Sequence, residues 1–431
     1  MNFIFFALVA VAFLFSGWRQ VFFIPGSDSP APMETLSRAM VDSAGGAVEL
    51  AIGLVGVMAL FLGLMKVAEE GGMLRILARL IRPLMVRLFP DVPPDHPAMG
   101  AMILNLSANA LGLGNAATPF GIRAMQELDR LNPHRGTATD AMALFLAVNT
   151  SSVTLLPTGV IALRAAAGSM EPAAILPTTL FATIGSTTAA ILAAKLYARF
   201  ALFRSREQTE PSPKPLPAAA EEDPADADGN GGYPLWVSLI ALGALVALIP
   251  VAVAFGRQLS PWILPGLMAG FLLFGLLRRV RIYEVFVEGA KEGFQVALRI
   301  IPYLVAILVA VGMLRASGAL DAIVGTLGII TGPLGLPAEA LPMALMRPLS
   351  GSGAYGILAS VINDPAIGPD SYTGYLVSTF QGSTETTFYV LAVYFGAVQV
   401  RRIRHALAAA LTADIVGIAC AVIACRFFLG V

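Results

Sequence analysis

Hydrophobic residues run along this chain in blocks of membrane-spanning length. Apolar stretches near residues 1–17, 48–66, 139–164, 173–199, 233–255, 261–277, 293–314, 371–398 and 405–429 approach the roughly 20 residues that a membrane helix needs. They predict an all-α integral membrane protein with about nine spanning helices. The first block has no basic residue at its amino end and runs into Trp18-Arg19 without a small-residue cleavage site. An uncleaved helix is therefore expected rather than a removed signal peptide.

One stretch breaks the pattern. Residues 203–232 are rich in Pro, Gly and acid, with almost nothing apolar, and read as a flexible linker. It divides the chain into an N-terminal membrane half, 1–202, and a C-terminal membrane half, 233–431. The halves resemble each other. Gly72 and Gly318 each follow a long apolar helix; Pro94 pairs with Pro337, and Ser107 with Ser350, at an offset of 243 residues. The offset then falls to 232, pairing Asn149, Ser151, Ser152 and Thr154 with Gln381, Ser383, Thr384 and Thr386.

Basic residues orient the halves, because Lys and Arg in short loops favour the cytoplasm. They cluster at Lys66–Arg87, Arg123–Arg135 and Arg199–Arg206 in the first half, and at Arg278–Arg281 and Arg401–Arg404 in the second. With all of these inside, helix 48–66 runs inward and its counterpart 293–314 outward. The repeats are then inverted, the linker is cytoplasmic, and the protein is multi-pass in a bacterial inner membrane. Inverted repeats with interrupted helices are a feature of transporters, in which one central site opens alternately to either side.

Composition agrees. The 431 residues are 57% hydrophobic and 13% charged, against about 25% charged in ordinary soluble domains. That excludes a soluble enzyme and a nucleic-acid binder. The 28 basic and 28 acidic residues cancel, so no global field recruits an anionic partner. Cys420 and Cys425 are spaced for packing within one helix rather than for a disulfide there, and His96, His134 and His405 have no metal-ligand spacing. There is no phosphate-binding loop and no HExxH. No enzyme, metal or cofactor is expected.

Candidate chemistry lies in two kinds of segment. Residues 102–120 (MILNLSANALGLGNAATPF) and 346–356 (MRPLSGSGAYG) are interrupted by Gly and Pro. Both are expected to be re-entrant helical hairpins, since freed backbone in a bilayer must be enclosed by protein or face a wet cavity. The alternative, close helix packing through small residues, stays open for the glycines. Residues 147–158 (AVNTSSVTLLPT) and 378–388 (STFQGSTETTF) are polar runs inside spanning helices, where Pro157 and Gly382 favour local unwinding. Two ionisable groups lie at membrane depth, Arg347 and Glu385. Charges there cost at least ~2.5–3.5 kcal/mol, so either they pair with each other or Glu385 carries a coupling ion or a substrate. Arg164 is expected to snorkel at the outer end of its helix, and Asp140 and Asp414 to cap or pair locally.

At these residues the sequence resembles two known families. Asn105–Pro133 (NLSANALGLGNAATPFGIRAMQELDRLNP) and the following 138–164 are similar to spore maturation protein A. RPLSGSGAYG, from Arg347, and 376–398 are similar to spore maturation protein B. The chain thus looks like a fusion of the two. Both families are grouped with the Gate, or nucleoside-recognition, domain. The resemblance implies a Gate-type fold with re-entrant hairpins and inverted repeats, without implying nucleosides as the substrate. By similarity with nucleoside transporters, it implies a solute site at Asn105, Ser107, Asn109, Asn149, Ser151, Arg347, Ser350, Ser352, Gln381, Thr384 and Glu385.

The reading that follows is a secondary transporter of a small polar or anionic solute, driven by H⁺ or Na⁺ through Glu385, with membrane lipid around it and a homo-oligomer in keeping with the family. The competing readings are a non-transporting envelope or spore-maturation assembly protein, and a flippase for a lipid precursor.

Overall fold

The computed structural model describes residues 2–24, 30–151, 153–200, 232–320, 322, 326, 329 and 331–429. Apart from Gly232, the linker expected at 203–232 lies outside the described residues. The described chain contains fifteen α-helices and no strand, only an isolated bridge between Thr137 and Arg402. Two helical stretches, Pro172–Tyr197 and Ala406–Phe428, are long and apolar enough to cross a membrane.

The first half opens with α1 (Asn2–Val21) and the 39-residue α2 (Pro32–Glu70). Pro32 begins α2, where its missing N–H costs nothing. The helix ends at Gly71-Gly72, and Gly72 takes φ +84°. Then come α3 (Met73–Leu88), the pair α4 (Pro97–Ala110) and α5 (Gly114–Arg130), the pair α6 (Asp140–Thr150) and α7 (Thr158–Ala166), and α8 (Leu176–Tyr197). The second half begins with α9 (Leu235–Leu277) and α10 (Ile282–Ser317), the latter closed by Gly318 at φ +81°. It continues with α11 (Leu341–Met346), α12 (Gly351–Ile362), α13 (Tyr372–Ser383), α14 (Thr387–Ala397) and α15 (Ala406–Leu429). The paired glycines 72 and 318 thus end equivalent long helices in the same left-handed conformation.

Two expectations about continuity change. The stretches 233–255 and 261–277 form one helix, α9, of 43 residues. At ~1.5 Å per residue it is about twice as long as a ~30 Å hydrocarbon core. Pro261 and Pro265 do not end it. The stretches 139–164 and 371–398 are each two helices. The first is open from Ser151 to Pro157 and the second from Thr384 to Thr386. Both begin with a hydroxyl cap: Thr139 accepts from the Met142 N–H and Ser371 from the Gly374 N–H. Both stop at their polar run, where hydroxyls compete with the helix for backbone groups.

Two pairs of long helices lie side by side. α2 lies along α10, and α8 along α15. The α2–α10 seam is made by glycine: a Cβ on Gly293 would sit 2.7 Å from the Ala59 Cα, and one on Gly289 2.6 Å from the Leu62 carbonyl oxygen. The broken helices cross, with α6 against α14 and α7 against α13, so they run in opposite directions. Two apolar cores follow from this crossing. One gathers Phe145 of α6 with Tyr394 and Phe395 of α14. The other gathers Ile161 of α7 with Tyr375 and Phe380 of α13. Each core therefore takes half of a broken helix from each repeat.

The α4–α5 turn shows how tightly the crossing is held. Gly112 has φ +77°, and a Cβ there would strike the Leu156 carbonyl oxygen. Gly112→Ala is expected to lower stability by at least ~1–2 kcal/mol from its backbone conformation alone, seen as a lower Tm in detergent. An unchanged Tm would mean that the turn does not press on the break.

Candidate functional site

The centre of the crossing is built from backbone. The Leu155 N–H in the first break donates to the Ala110 carbonyl at the α4–α5 turn (2.9 Å), and the Phe388 N–H at the second break donates to the Pro348 carbonyl between α11 and α12 (3.1 Å). The Glu385 N–H donates to the Thr150 carbonyl at 2.8 Å, tying break to break. Gly382 allows this approach, since a Cβ there would lie 3.2 Å from Pro157.

Two side-chain groups flank this backbone junction. In the first, Asn149 Oδ1 accepts from Asn109 Nδ2 at 3.0 Å and from the Tyr394 hydroxyl at 3.4 Å, while Asn149 Nδ2 donates to the Phe145 carbonyl. Asn105 Nδ2 donates to Tyr394 at 3.1 Å and to the Ala117 carbonyl at 2.8 Å, which pins α4 to α5. In the second group, Arg347 donates from Nη1 to Thr386 Oγ1 at 3.1 Å and from Nη2 to the Thr384 carbonyl. Its Nη2 also lies 3.6 Å from Glu385 Oε2; the Glu385 side chain is 46% exposed and that of Arg347 only 7%. A buried guanidinium thus holds the second break open by taking its freed carbonyl, and turns one carboxylate toward solvent.

The remaining sequence candidates divide. Ser107 and Ser151 are buried and donate to their own helices, at the Ile103 and Ala147 carbonyls. Ser350 caps α12 by accepting from the Gly353 N–H, with Ser352 3.5 Å away. Gln381 is buried, and its Oε1 has no hydrogen-bond partner among the described residues. The pairing of Ser107 with Ser350 is not structural: one lies inside α4, the other starts α12.

Three expectations are corrected. Arg164 does not snorkel. It is fully buried, pairs with Asp370 at 3.0 Å, donates to the Pro369 carbonyl at 2.6 Å and lies over the Tyr375 ring at 4.3 Å, because the loop before α13 folds over it. Asp140 pairs across the repeats with Arg404 at 2.7 Å. Asp414 is the ninth residue of α15, is 4% exposed, and accepts from Thr387 Oγ1 at 2.7 Å. Each Arg–Asp clasp joins one broken helix to the other: Arg164 lies in the last turn of α7 and Asp370 just before α13, whereas Arg404 follows α14 and Asp140 begins α6. Tyr394 carried no sequence signal, being one aromatic residue in an apolar run.

Known proteins can now be compared. The profile of the Gate family, described as nucleoside recognition, matches residues 51–167 and 297–401, more than half of the chain. The chain belongs to the Gate family. Each matched segment holds a long helix, a helical pair and a broken helix, so the Gate match covers the whole junction and omits α1, α8, α9 and α15. Spore maturation protein B of Bacillus subtilis (strain 168) is 46% identical over 172 residues, 40% of this chain and 96% of that protein. Spore maturation protein A of the same organism is 48% identical over 160 residues, 37% of this chain and 82% of that protein. These matches are consistent with a fusion of two Gate proteins. Among solved structures, the Alcanivorax borkumensis YdaH transporter aligns with TM-score 0.44 at 17% identity, covering 99% of this chain and 98% of its own. A structure of CNTnw in its intermediate 1 state aligns with TM-score 0.38 at 15% identity, covering 98% and 90%. Neither alignment reaches the level at which a shared fold follows.

Proposed function

We propose that the chain is an ion-coupled secondary transporter of a small polar or anionic solute, seated in a bacterial inner membrane with its linker in the cytoplasm. The observation that carries this reading is the junction of two oppositely directed broken helices, each stopping at a polar run. In transporters, breaks of this kind supply the backbone groups and polar side chains of a central solute site. Asn109 and Asn149 on one side, and the half-exposed Glu385 held by Arg347 on the other, supply amide, carboxylate and guanidinium groups within one region. Glu385 is the carboxylate that a solute or its cation would meet first. The composition and the long apolar helices support the membrane setting, which also supplies a lipid surround.

A thermal-shift panel on purified protein tests the reading. The panel holds nucleosides, nucleobases, amino acids, dipeptides, dicarboxylates and Na⁺. A solute at 100 times its Kd stabilises the folded state by about 2.7 kcal/mol. The expected result is a hit whose stabilisation is clearly reduced in Glu385→Gln and Asn149→Ala. The similarity to spore maturation proteins favours a second reading, an assembly protein of the envelope. A blank panel, with both variants merely less stable, decides for that reading.

A further inference from the structure

The buried carboxylate of Asp414 lies outside the groups just described. Its Oδ2 accepts from Thr387, the first residue of α14, but its Oδ1 has no hydrogen-bond partner among the described residues. Arg347 Nε likewise has none. The two residues line the same small void, walled by Pro348, Phe380, Ser383 and Ile418, with a volume of about 10 Å³. That is at the lower limit for one water molecule. Two residues that line one space beside the second break thus each carry a buried polar atom, one acceptor and one donor, without a hydrogen-bond partner among the described residues.

The charges make the arrangement unbalanced. Arg347 serves two carboxylates, Glu385 directly and Asp414 across the void. With both ionised, the trio carries a net negative charge, and the Asp414 carboxylate, 4% exposed, is the buried part of it, which is costly. Few other charges lie on the surrounding helices. α13 and α14 carry no Asp, Glu, Lys, Arg or His; α6 has only Asp140 at its first residue, α8 only Lys195 near its last, α7 only Arg164, which is paired with Asp370, and α15 itself otherwise only Arg426 in its last turn. One proton on Asp414 makes the trio neutral.

We propose that Asp414 is the proton-carrying residue of this protein, and that its proton decides which carboxylate Arg347 serves. This rests on the transport reading. With the proton on Oδ1, Arg347 stays on the Thr384 carbonyl, Thr386 and Glu385, as observed. When the proton leaves to water, the guanidinium moves toward the Asp414 carboxylate. It then releases the Thr384 carbonyl and Glu385, and the three-residue break changes shape. Proton loss at a closed site thereby frees a carboxylate at an open one.

Infrared difference spectroscopy between acidic and alkaline buffer, on the full chain in lipid nanodiscs without solute, tests this. The expected spectrum contains a protonated-carboxyl band that is lost in Asp414→Asn, kept in Glu385→Gln, and moved in frequency in Thr387→Val. On deprotonation, the carboxylate band that Glu385→Gln removes shifts in the unsubstituted chain and stays still in Asp414→Asn. A protonated-carboxyl band that survives Asp414→Asn overturns the proposal. Should Asp414→Asn fail to fold, Thr387→Val decides: an unmoved band overturns it. No solute enters the experiment, so a titrating Asp414 beside a blank ligand panel would sink the transport reading alone, and a solute hit without the band would sink Asp414 alone.

Discussion

Arg164→Ala destabilises the folded protein by about 3 kcal/mol, at the lower end of the range for breaking a buried ion pair. The value is kept low because Asp370 retains 29% exposure of its side chain and recovers water when its partner is gone. What loses its partner is the Pro369 carbonyl and the Tyr375 ring face, while the Ser378 hydroxyl, 3.3 Å from Arg164, keeps its bond to the Gly374 carbonyl. Arg164→Lys restores little. An ammonium does not span a carboxylate, a carbonyl and a ring at once, whereas a planar fork does. Denaturant titration in a fixed detergent measures both variants. A loss under about 1 kcal/mol, the value of a surface pair, would show that the clasp is not structural.

Asn149→Ala and Ser151→Ala, two residues apart in one polar run, separate sharply. Asn149 joins α6 to α4 and α14 through Asn109 and Tyr394. Its loss takes the partner of the Asn109 amide, while Tyr394 keeps only Asn105, and costs about 1–3 kcal/mol; if the network organises the site, the solute that the panel finds binds roughly 10- to 100-fold more weakly. Ser151 donates only to its own helix at Ala147, so Ala there changes affinity by less than about 0.5 kcal/mol. Calorimetric titration of the panel's hit into both variants checks the contrast. Equal losses would mean that the asparagine network does not organise the site.

The contrast also shows what a sequence makes legible. Pro157, Gly382 and the polar residues around them announce interruptions, because local composition determines where a helix stops. Gly72 and Gly318 announce ends for the same reason. Within the polar runs, composition does not distinguish a hydroxyl that turns back on its helix, as in Ser107, from an amide that reaches across, as in Asn109. That difference is set by which helix lies opposite. Tyr394, Arg164 and Asp414 were obscure for a related reason. Each belongs to an apolar helix or its end, and each acquires its partner only when the second repeat folds over the first. The continuity of α9 through Pro261 and Pro265 was obscure too, since prolines in a long apolar run read as a turn.

The two Arg–Asp clasps differ in their access to water. In the Arg164–Asp370 pair the arginine is fully buried, whereas in the Arg404–Asp140 pair the aspartate is 53% exposed. Mobile ions screen exposed charges over a Debye length of about 8 Å at physiological ionic strength, and buried charges far less. Raising the salt concentration therefore loosens one end of the crossing and leaves the other fastened. Ionic strength becomes a one-sided control, with which the flexibility of one end can be varied while the other is held, in a single, unmutated protein.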